Sequence, residues 1–203
     1  MKIIVENISD HPEEISLTVQ ENEVLYYLVY GFSNAVKRVT VILAGEGAEA
    51  NILGVLLGQE GRCALHTLQD HQSPNTKSDL LVRTVLGGSA AFSYQGKIVI
   101  ERSAQHSNAY QRNENILLSS QAHVDTKPEL EILANDVRCT HGATVGKLDD
   151  EPIFYLQSRG LAKKDAERLI LGGFIGHVLA RIPDEKIKND THARLMDELA
   201  RNI

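Results

Sequence analysis

With 203 residues, a formal net charge of −6 and 42% hydrophobic residues, the chain can build a real core and argues against a general nucleic-acid or anionic-membrane surface. Aromatic content is 5% with no tryptophan, so Val, Ile, Leu and Ala must do most of the packing. No apolar run approaches the ~20 residues of a membrane span, the first residues lack a secretory leader's pattern, and Cys63 and Cys139 suggest no disulfide framework, so a cytoplasmic protein is expected.

Strand-like runs come first. Residues 3–5, 15–19, 24–30 and 36–43 are short apolar or alternating runs separated by Asn, Asp, Pro or Gly. Alternation is clear where Ile15, Leu17 and Val19 face one way and Ser16, Thr18 and Gln20 the other. Similar runs follow at 48–57, 62–68, 79–86, 90–100 and 116–118, with breaks at 58–61, 73–75, 87–88 and 119–121. A weak repeat links them: a turn residue, a small residue and a strand at Gly47-Ala48, Ser89-Ala90, Ser103-Ala104 and Gln121-Ala122. The last three are spaced by roughly 15–20 residues, which reads as one coil of a solenoid whose coils bury their inward faces by stacking. An antiparallel sandwich or barrel accommodates the same short strands and turns, and periodicity leaves both open.

The stretch 127–146, KPELEILANDVRCTHGATVG, closes this region. Leu130 and Ile132 share one strand face, and Val137, Cys139 and His141 share another. A thiol and an imidazole with Cα atoms roughly 7 Å apart can share iron or a small cluster. The alternative is a packed core pair, since Val137 lies on the same face and free cysteine is among the most buried residue types. Two ligands do not close a structural zinc site, which takes about four. Residues 142–146 read as a glycine-bounded break.

Beyond residue 148 the period becomes helical. Asp149 or Asp150 caps a first helix, Pro152 fits its first turn and Gly160 ends it. A second runs from about 162 to 181, with Leu169, Ile170, Phe174, Val178 and Leu179 at three- and four-residue spacing. Its glycines, Gly172, Gly173 and Gly176, hint at close packing. A third, about 184–201, opens at Pro183-Asp184 and carries Ile187, Leu195, Met196 and Leu199 on one side. The expected division is therefore 1–147, β, and 148–203, helical. The helices' apolar faces either pack internally, the preferred reading on pattern alone, or dock a partner.

Other motifs are weaker. In HTLQDH, His66, Leu68 and Asp70 share a face and His71 the other, which speaks against a three-ligand metal site and for polar strand-end residues. Gly142–Lys147 resembles half a phosphate loop, but it is one residue short and Leu148 stands where Ser or Thr must bind magnesium, so no nucleotide is expected on this chain. Gly31-Phe-Ser33-Asn-Ala35 is no nucleophile elbow, H-E-x-x-H and C-x-x-C are absent, and no catalytic residue is assigned. His106 and His123 read as surface residues.

The run Lys127-Pro-Glu-Leu-Glu-Ile132, Asp136-Val-Arg-Cys139-Thr-His141-Gly-Ala-Thr-Val-Gly146, Phe154-Tyr155-Leu156 and Ser158-Arg159-Gly160 resembles the SufB/SufD family of iron–sulfur cluster assembly proteins, closest to the SufD side. The likeness takes in His66-Thr-Leu, Gly96-Lys97-Ile98, Asn115-Ile-Leu-Leu118, Gly172-Gly-Phe174 and Arg181-Ile-Pro183, covering about Gly47 to the C-terminus. It implies a right-handed parallel β-helix with a C-terminal α-helical region, which settles the solenoid against the sandwich. It further implies a non-catalytic scaffold that pairs through its β-helix end, with a second copy or a SufB-like subunit, and that binds a SufC-type ABC ATPase. The resemblance moves the last two helices towards partner docking and names Phe154, Tyr155, Ser158, Arg159, Gly160 and Phe174 as partner-binding candidates. Cys139 and His141 match the motif tied to a transient iron–sulfur cluster at the paired ends, and a cysteine beside a cation ionises more readily. The sequence departs from the SufB branch where Asn113 replaces a sulfur-receiving cysteine and Gly142 a carboxylate. It also lacks most of the N-terminal region of longer members. The competing readings are a carbohydrate-active enzyme on a β-solenoid and a purely structural assembly protein with Cys139 and His141 as core filler.

Overall fold

The structure, a computed structural model, describes residues 1–10 and 12–202. Strands β1 (Lys2–Asn7), β2 (Glu14–Val19), β3 (Val24–Tyr30), β4 (Val36–Leu43), β5 (Glu49–Gly58) and β6 (Arg62–His71) lead into β7 (Lys77–Leu86), β8 (Ala91–Ile100), β9 (Asn108–Leu117), β10 (His123–Ile132) and β11 (Arg138–Lys147). Helices α1 (Asp150–Ser158), α2 (Lys163–Leu179) and α3 (Glu185–Asn202) follow. Odd strands form one sheet in the order β1-β3-β5-β7-β9-β11, and even strands form the other, β10-β8-β6-β4-β2. Every pairing is parallel. The chain is thus a β-solenoid in which each coil contributes one strand to each sheet.

Register corrects the spacing expected for the repeat. Lys77 pairs with Asn108, and Asn108 with Arg138, in successive strands of one sheet. A turn–alanine–strand unit is therefore half a coil, because the chain crosses to the other sheet between repeats. Ala48, Ala90 and Ala104 sit fully buried at these corners. A second correction concerns 142–146, which continues β11 as extended strand rather than breaking it.

The inward faces of the earlier coils form a hydrophobic cluster containing Val39, Val41 and Leu43 from β4 with Ile52, Leu80 and Phe92 from later strands, and Ile98, Ile100 and Ala109 form another further along. At the first coil the fully buried Lys37 holds the chain together. Its Nζ pairs with Glu6 at 2.8 Å and donates to the Asp10 and Pro12 carbonyls, while the Tyr27 hydroxyl donates to the same Glu6 oxygen. Further along, the interior turns polar. Gln69, His71, Ser78, Gln111, Asn113 and Asn115 are all buried inside. His71, expected at a strand end, is the last residue of β6, and its side chain lies within the solenoid, bonded to Thr76 and Ser78; His66 lies on the other face against Gln95.

The two sheets differ outside. β6 alternates buried with partly exposed residues, since its outer face meets solvent. β5 is buried on both faces over its second half, because α2 and α3 cover it. Leu53, Val55, Leu81 and Val85 of the sheet share a cluster with Leu171, Ile175, Val178 and Leu179 of α2 and Leu195 and Leu199 of α3. Each such side chain contributes about 1.5–3 kcal/mol on burial. Arg83 fastens the layer: its Nε donates to Glu114 at 2.7 Å, its Nη1 to the Phe174 carbonyl at 2.6 Å, and its guanidinium stacks 4.4 Å from the Phe174 ring centre. The apolar faces of the last two helices are thus mostly spent internally, as their pattern alone suggests, and Leu169 is left 58% exposed. α1 begins where the Glu151 amide donates to Asp149 Oδ1 at 3.0 Å and ends at Gly160, whose φ of 96° suits glycine. Among the described residues no helix is long and apolar enough to cross a membrane.

Candidate functional site at the open end of the solenoid

β10 and β11 are the last strands of their sheets, each paired on one side only. Their inward residues follow from register. Cys139, His141, Ala143 and Val145 stack on Ala109, Gln111, Asn113 and Asn115, all of them buried. Leu130 and Ile132 stack on the buried Ile98 and Ile100. The column holding Cys139 and His141 therefore faces the solenoid's interior, but no further coil of the described chain covers it. Leu130, Ile132 and Val145 are 37%, 42% and 47% exposed, and His141 is exposed. Cys139 is half-buried beside Val137, against Ile98, Ala104 and Ala109. The pair expected from the motif thus lies together on one strand, on an unsealed end with an apolar rim.

The thiol is not activated. Burial pushes Cys139 up to about 11, so the expected ionising cation is not what governs it, and near neutrality it is a protonated thiol, whose proton any metal ion would have to displace. Iodoacetamide labelling of Cys139, followed by peptide mass spectrometry, should be slow at pH 7.5 and accelerate towards pH 11. At neutral pH a thiol at 11 holds about a hundredfold less thiolate than one at 9. Labelling at the rate of a free thiol at pH 7.5 would contradict this environment.

Among the described residues no group of three or more His, Cys, Asp or Glu side chains is arranged to hold a metal ion. The donor set at this end is one sulfur and one imidazole nitrogen, which suits iron or zinc in kind and supplies half of a four-ligand shell. Asn113, expected from the resemblance to replace a SufB-type cysteine, is buried in the next strand and bonded to Val82 and Asn115.

The expected partner-binding residues divide. Phe154 and Tyr155 stand out from α1 at 74% and 56% exposed, with the Arg159 guanidinium 5.3 Å from the Tyr155 ring centre. Ser158 and Gly160 are exposed beside them. Phe174 lies apart from this group, half-buried under Arg83. Sequence reasoning missed Val145, because the strand that carries it was read as a break. The signal was the alternation Cys139, His141, Ala143, Val145 running on without interruption.

A family model described as SUF system FeS cluster assembly, SufBD core domain, matches residues 19–174. Iron-sulfur cluster assembly protein SufD of Escherichia coli is 32% identical over 203 residues, covering 98% of this chain and 48% of that protein. A SufBD family protein of Synechocystis is 34% identical over 174 residues, covering 71% and 38%. The chloroplastic protein ABCI7 of Arabidopsis thaliana is 36% identical over 96 residues, covering 47% and 20%. The chain spans about half the length, or less, of these curated relatives.

Proposed function

The chain belongs to the SufBD family of iron–sulfur cluster assembly proteins, and on that premise we propose that it is a non-catalytic, cytoplasmic scaffold subunit. It pairs through its open end with a second chain of the same kind, another copy or a SufB-like subunit, and a nascent cluster is held between them as cargo. The observation that carries this reading is the exposed His141 beside the half-buried Cys139 on an uncapped coil rimmed by Leu130, Ile132 and Val145. Unpaired edges of β10 and β11 are ready to accept further strands, and the apolar rim loses its contact with water when they do. A Cys–His pair from each of two such ends completes four ligands, which neither chain supplies alone.

Energy for remodelling the paired ends comes from an ABC-type ATPase of the SufC kind seated on α1, where Phe154 and Tyr155 provide the exposed aromatic anchors. α2 shares its core with β5 and β7, and Arg83 ties it to β9 through Glu114, so a displacement of the helices reaches the strand next to β11.

The test is a pair of charge insertions. Ile132→Asp with Val145→Asp places two carboxylates in the rim and should weaken pairing at least tenfold, at about 1.4 kcal/mol per decade. Light scattering and co-purification read this, while the ATPase stays bound. Phe154→Asp should do the reverse, losing the ATPase and keeping the pair. An intact pair carrying both rim carboxylates would show that this end is not the interface.

A further inference from the structure

Gln111 lies on β9 in register with His141 on β11 and with Leu80 on β7. It is fully buried. Its Nε2 donates across the interior to the Gly96 carbonyl at 3.1 Å. Glycine is needed there, because a Cβ at position 96 would overlap the Tyr94 hydroxyl and stand 2.7 Å from that same Nε2. The bond fixes the orientation of the amide, since exchanging its N and O would set two carbonyl oxygens against each other. Oε1 is thereby left buried, with no hydrogen-bond partner among the described residues.

A buried carbonyl oxygen without a donor costs about 1–3 kcal/mol, and folded proteins leave few of them. The nearby Tyr94 hydroxyl is engaged with Thr67 at 2.9 Å. In the column Leu80, Gln111, His141, only the imidazole brings an N–H, from a strand roughly 4.8 Å away. A metal-bound histidine nearly always donates its second ring N–H to an oxygen acceptor, which fixes the ring and its tautomer.

We propose that Gln111 is the positioning residue for His141: its orphaned Oε1 accepts one ring N–H when the other ring nitrogen takes a metal. The inference rests on His141 being a ligand, as argued above. It makes the interior wall of the preceding coil part of the site, although Gln111 itself never touches the metal.

The experiment titrates Zn²⁺ into the full chain and follows the histidine rings by long-range proton–nitrogen NMR. In the wild type, zinc should shift His141 and yield a slowly exchanging ring N–H with a nuclear Overhauser contact to the Gln111 side chain. Gln111→Met, similar in size but without an acceptor, should bind zinc about tenfold or more weakly and lose that slow N–H. Gln111→Glu, protonated in this interior, keeps both a donor and an acceptor and should bind as the wild type does. Zinc affinity unchanged in Gln111→Met, or a zinc-bound His141 without the Overhauser contact, overturns the positioning role alone. His141 resonances that ignore zinc in the wild type overturn both this role and the assignment of His141 as a ligand. The wild-type contact decides the matter even if Gln111→Met fails to fold.

Discussion

Anaerobic reconstitution of the paired complex with ferrous iron and sulfide should leave His141→Ala folded but without a retained cluster. His141 is exposed at the end of the solenoid, so removing its ring opens no cavity and should change unfolding free energy by no more than about 0.5 kcal/mol. On the proposed function the same change deletes a nitrogen ligand, and even an outer hydrogen-bond partner of a ligand is worth about 10–100-fold in metal affinity. Visible charge-transfer absorption per complex should therefore fall at least about tenfold, with the thermal melt unmoved. Wild-type cluster content in this variant would take His141 out of the mechanism. Cys139→Ser is a less clean companion, because the half-buried thiol also packs against Ile98 and Ala109 and its loss carries a stability cost of its own.

Stability should fall steeply with acid, and His71 should account for a large share of the fall. Its imidazole is fully buried, with Nδ1 2.8 Å from the Thr76 hydroxyl and Nε2 2.7 Å from that of Ser78. Burial lowers it from 6.5 to about 4. The unfolded chain therefore takes up the proton first as pH drops. Stability is fully present above about 6.5, falls between 6.5 and 4, and receives no further penalty from this group below that. At about 1.4 kcal/mol per unit the loss amounts to roughly 3 kcal/mol, a large fraction of a typical domain's stability. Urea unfolding at pH 7.5 and pH 5 should show most of it, and His71→Gln should flatten the slope over that window. An unchanged slope in that variant would mean that His71 is hydrated, or charged, in the folded chain.

The interior histidine also illustrates how far pattern reading went. Alternation put His66 and His71 on opposite faces and read the cluster as polar strand-end residues, and His71 does close β6. Only the closed coil shows that one of those faces is the inside. The same limit hid most of β9, whose inward residues Gln111, Asn113 and Asn115 carry no apolar alternation, and most of β10, which carries Pro128 on an edge strand where proline is tolerated. The strands from 24 to 30 and from 36 to 43 were legible to the residue, because Val, Leu and Tyr there satisfy both propensity and burial.

The local period of most elements, the cap of α1, and the pairing of Cys139 with His141 on one strand face follow from the chain's own order of residues, because side-chain direction repeats every two residues in a strand and about every 3.6 in a helix. The solenoid in place of a sandwich came from family likeness, and the coordinates bear it out in parallel register. Where each face ends up is a tertiary matter. The apolar sides of α2 and α3 cover β5 and β7, while the equally apolar rim of β10 and β11 stays bare. Hydrophobic burial has no direction or address: it says that a face must be covered, and only the stacking of coils decides which face finds its cover within the chain and which is left for another.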